Sequence, residues 1–205
     1  MAKPSVESLQ KLVGYQFRNP GLLFEALTHS SYAREAAEAL RDNEQLEFLG
    51  DAILGFVVSF KLADAYPHYP EGKLSRGRSR IVAAEHLGKI AAQLELGKYL
   101  RLGHGEEKTG GRSKARLAVN ALEAMVAAIY RDGGLKCAER FIANFILSPD
   151  LLASGEDLFC VDYKSALQEY LQAGRRRSAS YRVVEENGPE HRKVFVVEVS
   201  AVDRV

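Results

Sequence analysis

Apolar residues recur at helical spacing across the stretch DNEQLEFLGDAILGFVVSF, from Asp42 to Phe60. At roughly 100° per residue, Leu46, Leu49, Ile53, Phe56, Val57 and Phe60 form one stripe, and Glu44, Glu47 and Asp51 fall on the opposite side. The pattern predicts one helix, with Asp42 or Asn43 as its cap. It runs on to about Tyr66 and stops where Pro67 and Pro70 cannot continue it. Three carboxylates stacked over two turns repel one another by a few tenths of a kcal/mol per pair. On spacing alone they read equally as a solvated acidic face or as a face that meets a cation. Gly50 and Gly55 weaken the helix and suggest the close approach of a backbone or partner. Phe48 lies on the acidic side, where a large aromatic suggests an interface.

The rest of the first two thirds is also helical in pattern. Ser5 to Val13 reads as a short helix capped by Ser5, and Asn19-Pro20-Gly21 as a turn that opens a helix over about Gly21–Thr28. His29 in THSSYA reads as a hydrogen-bonded structural histidine ahead of a functional one. Glu71–Arg80 gathers Lys73, Arg76, Arg78 and Arg80, either a solvated face or a phosphate-contacting segment. Glu85–Leu94 is amphipathic, and GKYLRLGHGEEKTGGRSKAR reads as a glycine-rich loop made basic by Lys108, Arg112, Lys114 and Arg116. Arg116–Arg131 is a second major helix, with Leu122, Met125, Val126 and Ile129 on its buried side and Asn120 and Glu123 on the other. Asp132-Gly133-Gly134 ends it, and Leu135–Leu147 is a last helix.

The pattern then changes. Residues 148–161, with Pro149 and Gly155, read as a linker. Tyr163–Ala173 is a short helix, and SASYRVVEENGPEHRKVFVVEVS alternates as two strands joined at Asn187-Gly188-Pro189.

Composition narrows the class only a little. The chain has 205 residues, 46% hydrophobic and 27% charged, with a formal net charge of +1. Any affinity for nucleic acid therefore has to come from clustered charge. Cys137 and Cys160 show no disulfide or zinc spacing. The N-terminus has no apolar signal core, and no run reaches the ~18 apolar residues of a membrane span. A soluble, cytoplasmic protein without a membrane partner is expected.

The chemistry-bearing residues converge if the two major helices pack side by side. Glu47, Asp51, Asn120 and Glu123 then offer oxygen ligands alone, a set suited to Mg²⁺ or Mn²⁺. Paired carboxylates beside such ions activate water for attack on a phosphodiester. The basic segments at Lys73–Arg80 and Lys108–Arg116 can hold a polyanion nearby.

At these residues the chain resembles bacterial ribonuclease III. NEQLEFLGDAIL (Asn43–Leu54) is very close to that family's signature. The likeness extends to LTHSSYA (Leu27–Ala33), PEGKLSRGRSRIV (Pro70–Val82), LGHGEEKTGGR (Leu102–Arg112) and NALEAMVAAIYRDGG (Asn120–Gly134). DYKSALQEYLQ and YRVVEENGPEHRKVFVVEV look like the start of a double-stranded-RNA-binding domain. The resemblance implies a mainly α protein: an all-helical endonuclease domain over residues 1–147 and a partial α/β double-stranded-RNA-binding domain over 162–205. It implies a homodimer that cuts double-stranded RNA with Mg²⁺ and leaves 5′-phosphate and 3′-hydroxyl ends, in rRNA and mRNA processing. By position, Glu47, Asn120 and Glu123 are implied metal ligands, and Asp51 and Glu123 catalytic acids. Glu44 and Glu71 are implied supporting acids, and Phe48 the aromatic that anchors the partner subunit. Lys73, Arg76, Arg78, Arg80, Lys108, Arg112 and His191 are implied to touch RNA.

Two departures stand out. Asn120 replaces the Asp of the best-known members, so the site loses one negative charge, and weaker metal binding is expected. The tail offers only one helix and about two strands of the α-β-β-β-α order. A fragment of ~40 residues seldom folds alone, so it is expected to be marginal, disordered or truncated. The alternative to an enzyme is a non-catalytic RNA-binding member of the same fold.

Overall fold

The computed structural model describes residues 5–147, 159, 167, 170–171, 177–189 and 193–203. The chain divides into two compact units, Met1–Phe159 and Cys160–Val205. The first is helical. Helix α1 (Val6–Val13) is capped by Ser5, whose side chain accepts from the Ser8 N–H, and it ends at Gly14 in the left-handed conformation, φ 65°. Helix α2 (Pro20–Ala26) takes Asn19 as its cap and Pro20 as its first residue. Helices α3 (Ser30–Glu35), α4 (Glu44–Ala65), α5 (Glu71–Ile81) and α6 (Ala84–Gln93) follow.

The glycine-rich stretch expected as a loop is instead a run of short helical turns. It comprises α7 (Leu96–Tyr99), α8 (His104–Lys108) and a 3-10 turn at Gly111–Ser113. Side chains hold these turns where local propensity does not. The Arg112 guanidinium pairs with both Glu107 oxygens at 2.6 and 2.7 Å and donates to the carbonyls of Gly97, Lys98 and Leu100. Lys114 reaches back to Glu106 at 2.7 Å.

Helices α9 (Ala115–Gly133) and α10 (Leu135–Phe145) complete the unit. Helix α9 is the hub. Eleven of its residues, from Leu117 to Ile129, are buried, and five of those are alanine. Small side chains let neighbours approach on several sides, and α2, α4, α6 and α10 all pack against it.

The pairing of α4 with α9 is the closest. A Cβ added to Gly50 would lie 1.8 Å from the Glu123 carbonyl oxygen, so only glycine fits there. Gly55 has nothing within 4 Å, so of the two glycines only Gly50 serves a backbone approach within the unit. This contact also corrects the expected stripe. It turns Leu46, Gly50, Ile53, Leu54, Val57, Val58 and Leu62 inward and leaves Phe56 and Phe60 more than half exposed. Of the two expected caps, Asp42 supplies the side-chain bond and Asn43 does not. Asp42 Oδ1 accepts from the Glu44 N–H at 3.2 Å, while the Asn43 amide donates to the Ala26 carbonyl.

Phe159, within the stretch expected as a linker, is buried in the first unit. Its ring packs edge-on against Tyr66 and Tyr69 at 4.9 and 5.0 Å, and a Cβ on Gly77 would meet it at 2.4 Å.

In the second unit, β1 (Arg177–Asn187) and β2 (Val194–Asp203) form an antiparallel hairpin with an irregularity between Val183 and Glu185. The turn contains Gly188 at φ 97°, at the expected Asn-Gly-Pro position. Tyr181, Val183, Phe195, Val197 and Val199 share one face of the sheet by register. Leu167, Tyr170 and Leu171 are helical, within the helix expected there. Among the described residues no helix is long and apolar enough to cross a membrane.

Gly50→Ala is expected to lower stability by about 2 kcal/mol or more. Backbone cannot yield as a side chain can, and the ~1 kcal/mol of gained helix propensity does not offset the overlap. Urea unfolding of the two proteins measures it; an unchanged midpoint would contradict the packing.

Candidate active site

A cavity of about 620 Å³ opens where α4 and α9 meet. Helix α4 contributes Glu44, Glu47, Phe48 and Asp51; α9 contributes Arg116, Leu117, Asn120 and Glu123; His29, Ser30 and Asn43 close one side. The Gly50–Glu123 contact explains the convergence. Glu47 and Asp51 stand one turn before and one residue after Gly50, so bringing Gly50 onto α9 brings both carboxylates to Glu123.

The neighbouring loops are pinned. The Arg101 N–H donates to Leu27 and its carbonyl accepts from His29, while the Asn43 N–H donates to Thr28. His29 Nδ1 accepts from the Ser31 N–H and so caps α3. The structural role expected for this histidine is therefore present, although the residue also lines the cavity.

The electrostatics record crowding of like charge. The Glu123 carboxyl is pushed up to about 7 by burial and by the charges of Asp51 and Glu47. Glu47 is also raised, by burial first and then by Glu44 and Asp51; a hydrogen bond from Asn120 and the charge of Arg116 act the other way. Carboxylates crowded together in this way hold hard oxygen donors ready for a cation, the donor chemistry that Mg²⁺ or Mn²⁺ takes. Among the described residues, however, no three His, Cys, Asp or Glu side chains are drawn together as a finished metal cluster. The amide of Asn120 stands where a further carboxylate is expected, and it is engaged with Glu47.

The other expected site residues are scattered. Glu71 does not line the cavity; its carboxylate accepts from the Ser75 hydroxyl at 2.6 Å. Phe48 is 80% exposed at the cavity rim. On α5, Lys73 sits 3.6 Å above the Tyr69 ring, and Arg78 donates to Ser59. Arg76 and Arg80 lie on the same helix, and Lys108 ends α8. Arg112, expected to touch RNA, is committed to bracing α7 and α8, because its donors already have acceptors within the protein. His191 lies outside the described residues. Arg116 was visible in the sequence only as part of a basic run; its position on the same side as Asn120 and Glu123 was the available signal.

A helical unit with an acid-lined cavity between two long helices, followed by a β-hairpin unit, defines a nuclease-type architecture with an appended second unit. Residues 19–150 match the family described as Ribonuclease-III-like, and residues 163–204 match the double-stranded RNA binding motif. The chain is 46% identical to Ribonuclease 3 of Solibacter usitatus, over 97% of this chain and 76% of that protein. It is 43% identical to Ribonuclease 3 of Bdellovibrio bacteriovorus, over 97% and 85%. Among solved structures it is similar to the nuclease domain of ribonuclease III from Campylobacter jejuni, described as flexible in a region involved in dimer formation. That match has a TM-score of 0.65 and 35% identity, and covers 69% of this chain and 96% of that one. The chain belongs to the ribonuclease III family.

Glu123 binds its proton more tightly folded than unfolded, so without a divalent cation its ionisation lowers stability as pH rises from about 4.5 through about 7. Glu123→Gln removes that charge. Discounted for partial exposure, the variant is expected to be about 1 kcal/mol more stable than the parent at pH 8 in EDTA, with the difference closing towards pH 4. Urea unfolding at the two pH values measures it, and equal midpoints at pH 8 would show that the carboxyl is not under charge stress.

Proposed function

We propose that this ribonuclease hydrolyses both strands of double-stranded RNA at the cavity between α4 and α9, leaving 5′-phosphate and 3′-hydroxyl ends. The observation that carries this reading is the convergence of Glu47, Asp51, Asn120 and Glu123 at one backbone contact, in a chain whose second unit matches an RNA-binding motif. Glu47, Asn120 and Glu123 are the residues to hold Mg²⁺, with Mn²⁺ as a substitute. Such an ion, when bound, offsets the charge developing on the phosphate and favours ionised water.

The side chains then divide the work. Asp51, exposed at the cavity edge, orients the attacking water and takes its proton. The water oxygen bonds to phosphorus as the bond from phosphorus to the 3′ oxygen breaks, and that oxygen leaves as a hydroxyl after taking up a proton. Glu44 keeps the mouth of the cavity acidic. The residues assigned to backbone contacts are Lys73, Arg76, Arg78, Arg80 and Lys108, with His191 in the second unit. Duplex RNA is read mainly by shape and 2′-hydroxyls. We assign residues 1–147 to the nuclease domain and 162–205 to the RNA-binding segment.

The functional form is a homodimer. Phe48, Phe56 and Phe60 give α4 an exposed aromatic side that the unit itself does not cover. A second copy laid along it places Phe48 against the partner and sets two cavities along one duplex, one for each strand.

Three outcomes are expected. A long RNA duplex is cut in Mg²⁺ or Mn²⁺; intact binding with no cutting in either metal would leave a binding protein. Asn120→Asp lowers the Mg²⁺ needed for half-maximal rate about tenfold, because a second charged oxygen is gained, and an unchanged titration would contradict the role given to this amide. Phe48→Ala moves the protein towards monomer in sedimentation, whereas a dimer of unchanged affinity would remove the aromatic from the interface.

A further inference from the structure

Four carboxylates line the cavity, at Glu44, Glu47, Asp51 and Glu123, and the substrate entering it is itself an anion. Of the lining residues, Arg116 is the only arginine or lysine. It stands on α9 four residues before Asn120 and seven before Glu123, so the three lie in a row along one side of the helix. Its neighbours in sequence are occupied. Lys114 is paired with Glu106 and Arg112 with Glu107, whereas Arg116 forms no ion pair among the described residues. It is exposed, on the first turn of its helix.

An arginine that braces a fold ends on carbonyls or carboxylates, as Arg112 does. Arg116 instead keeps its planar fork of donors open at the rim of an acidic cavity, the arrangement suited to paired bonds with two oxygens of one phosphate. We propose that Arg116 is a substrate-binding residue, gripping the backbone phosphate of the strand presented for cleavage and holding it against the repulsion of the surrounding acids. The proposal rests on the reading of this cavity as the place of RNA cleavage. It also gives Asn120 a context. One turn apart on the same helix, a neutral amide and a fixed cation both make the site less negative than acids alone would.

Arg116→Ala and Arg116→Lys, made in the full chain, test this. Binding of an uncut RNA duplex is measured against salt in EDTA, cleavage in Mg²⁺, and thermal melting in both. Arg116→Ala is expected to make the slope of log affinity against log salt shallower by about one. It is also expected to reduce kcat/KM about tenfold or more with unchanged melting. Arg116→Lys is expected to keep the salt slope and recover only part of kcat/KM, because an ammonium supplies the charge without the fork. An unchanged slope and rate in Arg116→Ala would overturn the proposal. So would a rate loss matched by a lower melting temperature in both variants, which would make Arg116 a structural residue. If the parent chain fails to cut, the cleavage reading fails, and the binding arm in EDTA still decides the role of Arg116.

Discussion

The contact of Gly50 with the Glu123 carbonyl is the constraint on which the centre depends. It is a backbone-to-backbone contact with no room for a methyl group, so the separation and rotation of α4 against α9 are fixed together. Rotation decides which side of α4 is core. Leu46, Ile53, Leu54, Val57 and Val58 go inward, the acids line the cavity, and Phe48, Phe56 and Phe60 remain outside. The core side and the acid-lined side of one helix are thus set by one close approach.

The same approach forces charges together. Burial and the neighbouring carboxylates lift Glu123, and Asn120 donates to Glu47. The helical core, not the acids, supplies the cohesion, since α9 is buried along most of its length. A hydrophobic framework holds the carboxylates at a spacing they would not choose in water. Core packing and charge separation therefore make opposite demands at this site.

Much of this was legible in the sequence because it rested on local rules. Ser5 as a cap, Pro20 at a helix start, the prolines after Tyr66 and the Asn-Gly-Pro turn all act within a few residues. The acidic face of α4 and the pairing of Asn120 with Glu123 followed from helical period, and Gly50 signalled the close approach. Tertiary facts were not legible. Phe56 and Phe60 fit a stripe by angle alone, but the buried arc is set by the α9 contact. Arg112 looked like one more basic loop residue, yet it organises α7 and α8 through carbonyls that no sequence pattern marks. Phe159 sits in a polar stretch, and only the space above Gly77 shows where its ring belongs.

The two halves of the centre are also far apart in the order of synthesis. Glu123 follows Gly50 by about seventy residues, and α5 to α8 lie between them. Closing so long a loop carries an entropy cost before any contact rewards it, which makes such pairings slow to form. A nascent chain that has released only α4 carries acids and an aromatic face but no cavity. The cavity therefore arrives late and all at once, when α9 docks, and a chain stalled before that step lacks it.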